Sequence, residues 1–270
     1  MGSAGGGESE EPDGIDNGCD GLVDEGTSAF DDDGDGFAEN EGDCDDQDDQ
    51  ATPETDGGCR WIDVGAGGLH TCAVTIENQI ECWGYNEFYQ LESPEGSFSQ
   101  VSSGLSHSCA IRTNGSLECW GHGQLGQTTA PTGTAEKLDA GGYHNCALSS
   151  DGAVSCWGND GGAGHTLPPP QVSFVDIACG YDFSCGIDTD GGIHCWGSQG
   201  SESHTGDLPT TGTYTQITAG GYHACALDDT GSVTCWGDNS RAQTEAPPGA
   251  FSQLDAGFYF NCGIDPHIPF

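Results

Sequence analysis

The amino-acid sequence predicts an all-β repeat protein, on three observations. A hairpin signature (cysteine, nine residues, then Cys-Trp-Gly) is written five times, at Cys72/Cys82, Cys109/Cys119, Cys146/Cys156, Cys185/Cys195 and Cys225/Cys235. Its first cysteines stand 37, 37, 39 and 40 residues apart, and Cys262 opens a sixth copy 37 residues further on. No amphipathic helical period of useful length interrupts the pattern. A period in this range means stacked or radially arranged supersecondary units, and spacing alone does not choose between them. Residues present in every copy define the repeat, which removes most of the chain from catalytic suspicion.

In the third copy, two short alternating runs flank Ser150-Asp151-Gly152, the mark of a hairpin with a turn glycine in the left-handed region. The same slot holds Gly115, Gly191 and Gly231, and in the first copy Asn78, the residue type next best suited to positive φ. Folding about that turn sets Cys146 opposite Cys156 and Leu148 opposite Val154, close enough on one face for a disulfide in each copy. Thiols held for a metal would call for close CxxC knuckles, which the chain lacks.

A further strand precedes each first cysteine. Eleven residues ahead stands an aromatic in five of six copies (Trp61, Phe98, Phe174, Tyr214, Phe251), with Ala135 the exception. Eight ahead comes an aliphatic: Val64, Val101, Leu138, Ile177, Ile217 and Leu254. Five ahead it is always glycine: Gly67, Gly104, Gly141, Gly180, Gly220 and Gly257. An unvarying glycine at a strand exit predicts a bulge or a close backbone approach, as where repeat units crowd a central axis. Each unit is thus about three short strands and a variable loop.

The full pattern, aromatic-x-x-aliphatic-x-Ala-Gly-Gly-Tyr-His-x-Cys-Ala-Leu…Gly-x-Val-x-Cys-Trp-Gly-Asp-Asn, resembles the regulator of chromosome condensation repeat from residue 59 to about 265. It is most similar to the compact, disulfide-bearing form found in secreted bacterial proteins. The resemblance implies that residues 59–270 form a disulfide-stapled β-propeller with blades of three to four strands. The family is usually seven-bladed and includes the secreted β-lactamase inhibitory protein II. Here the count gives five complete blades and part of a sixth, which departs from the pattern at Pro266-His267-Ile268-Pro269-Phe270 and lacks a partner for Cys262. A truncated propeller is the expectation, because propellers protect their strand edges and an open arc does not.

Residues 1–60 are of another kind, carrying 21 of the 44 acidic residues against one base, Arg60. Residues 1–10 read as a flexible lead without the apolar core of a signal peptide. The disulfides nevertheless require an oxidising compartment, and a cleaved precursor or a misplaced start reconciles the two. Within residues 11–58, Asp31, Asp33 and Asp35 precede Gly36, placing oxygen ligands at alternate positions with a glycine for the sharp turn, as calcium loops do. An EF-hand would close with glutamate where Gly42 stands; Asp43 and Asp46 offer the closing carboxylates instead. A second cluster offers Asp16, Asp20 and Asp24.

Together these clusters resemble the metal-binding repeats of secreted bacterial proteins, similar in style to thrombospondin type 3 calcium repeats, over residues 11 to 56. The resemblance implies Ca2+ as cofactor. Pro12 stands where the family has cysteine, which leaves Cys44 as the candidate partner of Cys19, and Gly18 replaces an aspartate ligand of the first loop. The alternative is an acidic disordered tail. Alternate-position aspartates, interleaved cysteines and the self-repulsion of so much uncompensated charge favour calcium.

Histidine recurs two residues ahead of the first cysteine, as His70, His107, His144 and His223, replaced by Phe183 and Phe260 in the other copies. Phenylalanine in the slot predicts a planar, buried ring rather than a ring of metal ligands. The tryptophans of Cys-Trp-Gly (Trp83, Trp120, Trp157, Trp196, Trp236) predict packing between blades rather than a carbohydrate platform. Cys179 stands where other copies have alanine or serine; it is either a small buried thiol or pairs with Cys59 or Cys262. Recognition is expected in the loops after Cys-Trp-Gly, with Tyr85, Phe88, Tyr89 and Leu125 as anchors.

No nucleophile–base constellation, phosphate-binding loop or zincin motif occurs, so no catalytic residue is expected. The expected function is that of a secreted or cell-surface binding protein, calcium-stabilised, whose propeller loops engage another protein or a surface glycan. One alternative is a secreted enzyme with its site in the propeller mouth, marked by acids peculiar to one repeat. Another is a purely structural surface or matrix protein. A net charge of −40 with only four lysines and arginines argues against a nucleic-acid partner, and against the nuclear exchange-factor role of the family's namesake. The same acidity also fits a salt-adapted or simply soluble surface. No apolar run approaches the length of a membrane span.

Overall fold

The computed structural model describes residues 61–197 and 208–264, and all regular structure among them is β. Blade 1 holds β1 (Trp61–Ala66), β2 (His70–Thr75) and β3 (Ile80–Gly84). Blade 2 holds β4 (Phe98–Ser103), β5 (His107–Arg112) and β6 (Leu117–Gly121). Blade 3 holds β7 (Lys137–Ala140), β8 (His144–Leu148) and β9 (Val154–Gly158). Blade 4 holds β10 (Phe174–Cys179), β11 (Phe183–Asp188) and β12 (Ile193–Gly197). Blade 5 holds β13 (Tyr214–Ala219), β14 (His223–Asp228) and β15 (Val233–Gly237), and blade 6 holds β16 (Gln253–Ala256) and β17 (Asn261–Ile264). Each blade pairs its strands in sequence order, and the first strands of all six line one channel. No helix among the described residues is long and apolar enough to cross a membrane. The lead, the expected calcium ligands Asp16, Asp20, Asp24, Asp31, Asp33, Asp35, Asp43 and Asp46, the expected Cys19–Cys44 pairing, Cys59 and the tail beyond Ile264 lie outside the described residues.

The hairpin register follows from the turn. Asn78 and Gly152 take φ of 62° and 81°, the left-handed conformation that a short hairpin turn needs. Each cysteine pair is then a direct cross-strand pair, with Cα atoms 4.0–4.1 Å apart. The sulfurs are bonded in all five complete blades: Cys72–Cys82, Cys109–Cys119, Cys146–Cys156, Cys185–Cys195 and Cys225–Cys235. The two ends of each bridge differ in burial. Cys72 and Cys109 are fully buried between blades, whereas Cys82 and Cys119 are only half-buried at the edge of the same clusters. The physical reason is position: the first cysteine lies on the central strand of its blade and the second on the outer strand. These cysteines are structural staples, and none of Cys72, Cys82, Cys109 and Cys119 lines the central channel.

The core lies between blades rather than within them. Cys72 and Val74 of blade 1 pack on Phe98, Val101, Ala110 and Trp120 of blade 2. Cys109 and Ile111 of blade 2 meet Ala135, Leu138, Ala147 and Trp157 of blade 3 in the same way, and the arrangement repeats to blade 6. Residues three apart on a regular strand face opposite ways, yet Phe98 and Val101 share one interface. A register shift between Phe98 and Gln100 turns the ring round, and the same shift recurs at Phe174/Asp176 and Tyr214/Gln216. Trp120, Trp157, Trp196 and Trp236 are buried against the preceding blade; Trp83, with no described blade before it, is 43% exposed.

The glycine five residues before each first cysteine marks the close approach, not the bulge. A Cβ on Gly67, Gly104, Gly141 or Gly220 would overlap the carbonyl oxygen of the next blade's glycine and the histidine ring of its own blade. One residue further on, backbone hydrogen bonds tie blade to blade round the channel. Gly68, Gly142 and Gly221 donate to Gly104, Gly180 and Phe258 at 3.1 Å, and Tyr181 donates to Gly221 at 3.0 Å.

Candidate functional site

The candidate site is the channel and one of its mouths. Beside it, side chains nine residues before the first cysteines clamp the following blade, and of these Asp63 and Gln100 line the channel. Asp63 accepts the Val101 N–H at 2.6 Å, and Asp176 accepts that of Ile217 at 2.9 Å. Gln100 clasps both backbone groups of Leu138, and Gln216 both of Leu254, at 2.9–3.1 Å. Lys137 cannot accept a hydrogen bond; its ammonium pairs instead with Asp176 at 2.8 Å.

Two residues further along, Asp139 accepts the Ser102 hydroxyl at 3.0 Å and the Cys179 N–H at 2.6 Å, and Asp255 accepts the Thr218 hydroxyl at 3.4 Å. Burial pushes the Asp139 carboxyl up to about 7 and raises those of Asp63 and Asp255. Asp255 is near enough for its charge to raise both of the others. Each of these positions carries aspartate in two repeats, Asp63 and Asp176 in one slot and Asp139 and Asp255 in the other, so none is peculiar to one repeat as the enzyme alternative would require. Their hydrogen bonds go to backbone N–H groups and hydroxyls of their own and neighbouring blades.

The histidine slot is an inter-blade latch. His107 Nε2–H donates to Asn145 Oδ1 at 2.8 Å, His223 to Asn261 Oδ1 at 2.8 Å, and His70 and His144 meet Ser108 and Ser184 at 2.7 and 2.8 Å. Asn145 in turn donates to the Gln127 carbonyl, which also takes the Trp157 indole N–H. Burial lowers His70 and His107 to about 4, so these rings are neutral. Where the slot holds Phe183, its partner is Ala224 rather than serine or asparagine. The residue before each first cysteine therefore matches the ring of the preceding blade, a covariation readable only when successive copies are compared. Among the described residues, His144, Cys146 and Cys179 are close enough to share a metal ion, but the Cys146 sulfur is bonded to Cys156. Cys179 is a buried free thiol, its pKa raised by burial, and Cys262 is a separate exposed thiol.

The loops after Cys-Trp-Gly are more structural than expected. Gln90 and Gln127 are fully buried; their side-chain oxygens accept Phe88 N–H and Leu125 N–H, and their carbonyls cap Trp120 and Trp157. Tyr85, Phe88, Tyr89 and Leu125 are exposed on these loops.

The aromatic surface lies instead on the turns joining first and second strands at one channel mouth. Tyr143, Tyr181, Tyr222, Phe258 and Tyr259 from blades 3 to 6 form one chain of contacts, with ring centroids 4.6–5.9 Å apart. Arg241 stacks on Tyr259 at 4.7 Å. Blades 1 and 2 carry Leu69 and Leu105 in the corresponding turns. The signal was available in the pattern, as an aromatic within two residues after the repeat glycine in blades 3 to 6.

The described blades thus form a disulfide-stapled array of propeller type, with an aromatic mouth on its channel. The model of the regulator of chromosome condensation (RCC1) repeat matches residues 61–90, 98–127, 136–165, 174–202 and 214–243, and the chain belongs to that repeat family. No curated protein matches the chain. Among solved structures, the CRINKLY WD40 ectodomain of the Arabidopsis thaliana receptor kinase ACR4 is 30% identical, with a TM-score of 0.64 over 78% of each chain. The ectodomain of the Physcomitrella patens receptor kinase CR4 is 28% identical with a TM-score of 0.64, over 76% of this chain and 59% of that one. Prp20p from Saccharomyces cerevisiae, described with its binding to Gsp1p and histones, is 17% identical over 76% of this chain and 69% of its own. Its TM-score of 0.65 marks the shared fold.

Proposed function

We propose that this chain is an extracellular or cell-surface binding protein that engages a partner protein through the aromatic mouth of its propeller, with no catalytic residue. The observation that carries the reading is the run of five touching rings at one mouth, on turns fixed by inter-blade backbone bonds. Rigid aromatic surface of this kind supplies contact area at low entropic cost. The disulfides and the likeness to receptor ectodomains support an oxidising location. We further assign Ca2+ to the acidic segment, held by Asp31, Asp33, Asp35, Asp43 and Asp46, with Asp16, Asp20 and Asp24 as the second set.

Two measurements test this. Binders selected from a random cyclic-peptide library on the intact chain should lose at least about tenfold in affinity on a Tyr181→Ala/Phe258→Ala chain, as expected for central aromatic anchors. Binders indifferent to both substitutions would place recognition elsewhere. Calorimetric calcium titration of the chelator-treated chain should show saturable sites that Asp33→Asn/Asp35→Asn removes; only weak, non-saturable heat would return the segment to a solvated polyanion.

A further inference from the structure

The channel beneath the aromatic mouth has a volume of about 760 Å³, within the range of ligand-binding cavities. Among the described residues its lining includes three carboxylates, Asp63, Asp139 and Asp255, and no lysine, arginine or histidine. Tyr181, Phe258 and Tyr259 line the same cavity, which joins the acidic wall to the aromatic rim. Lys137 is committed to Asp176 and Arg112 to Glu118, and neither lines the channel. The rim already holds one guanidinium on a ring face, Arg241 over Tyr259.

We infer that the channel mouth takes a single organic cation, the lysine or arginine side chain of the partner protein, with its charge on the Asp255 and Asp139 side of the channel and its stem among Tyr181, Phe258 and Tyr259. The inference rests on the mouth being the binding face and names the chemistry of what enters it. Carboxylates in a cavity without a counter-ion repel one another, and an entering cation relieves that repulsion. Ring faces attract the same charge. A bare metal ion fits less well, because these three carboxylates do not converge as one ligand set.

The library-selected cyclic peptides supply the probe. Those that lose binding to the Tyr181→Ala/Phe258→Ala chain should carry a recurrent arginine or lysine. Replacing an arginine by citrulline, its neutral isostere, should weaken them at least about tenfold, the scale expected of a desolvated charge contact. Asp255→Asn should weaken the arginine form and leave the citrulline form unmoved. Non-specific attraction to so acidic a chain would hardly notice one carboxylate of 44. Because the citrulline exchange changes only the ligand, it holds even if a channel variant folds poorly. Peptides that need Tyr181 and Phe258 but bind equally with citrulline, or equally to Asp255→Asn, overturn the cation while leaving the binding face intact. Peptides indifferent to the rim overturn both.

Discussion

His107 is a neutral ring whose Nε2–H donates to Asn145 Oδ1 across a blade boundary, while the same boundary one blade on from His144 is closed by Phe183 against Ala224. The two solutions are alternatives, since a buried polar group without a partner costs more than an apolar pair of the same shape. His107→Phe or Asn145→Ala alone should each cost about 1–3 kcal/mol, and the double variant should lose less than their sum. Urea unfolding with the disulfides intact measures the coupling; strict additivity would deny the latch. The sign with pH is also fixed. Burial holds His107 at about 4, so between pH 6.5 and 4 the unfolded chain binds a proton that the folded chain refuses. Stability therefore falls as pH drops through that window, and the double variant should lack this ring's share of the fall.

At the scale of the element, the hairpin is stapled where two blades meet. Cys185 and Cys195 close a separation of ten residues, worth about 2.5 kcal/mol on chain-entropy grounds. Cys185 is also fully buried beside Phe183, Ile187 and Tyr214. Cys185→Ala/Cys195→Ala should therefore cost about 3 kcal/mol or more, the entropic part plus lost packing. A denaturant midpoint unchanged by the double substitution would show that the inter-blade clusters suffice alone. The staple was legible from nine-residue spacing because opposed strand positions share a face. The unequal burial of its ends, Cys72 inside and Cys82 at the edge, was not, because it depends on which strand the next blade covers. Nor was the bulge at Phe98/Gln100, because a residue inserted into a ladder leaves no mark in a spacing that every copy repeats.

For the whole molecule, a charge of −40 sets the balance between cohesion and repulsion. Ion pairs such as Arg112–Glu118 and Lys137–Asp176 are small beside that field. Raising sodium chloride from about 20 to about 200 mM shortens the Debye length roughly threefold and should raise Tm by a few degrees. A fall in Tm with added salt would mean that those pairs outweigh the repulsion.

By itself the sequence determined the all-β class, the five hairpins with their cysteine pairs, and the glycine on which the blades converge. Each of these is a local or periodic constraint, written into residue type and spacing. Only the tertiary structure decided what neighbouring copies do to one another. It turned the loop glutamines inward as caps for the next tryptophan. It also gathered Tyr143, Tyr181, Tyr222, Phe258 and Tyr259 over an acidic channel. Those residues lie up to 116 positions apart in the chain, and the curvature of the blade array is what makes them one surface.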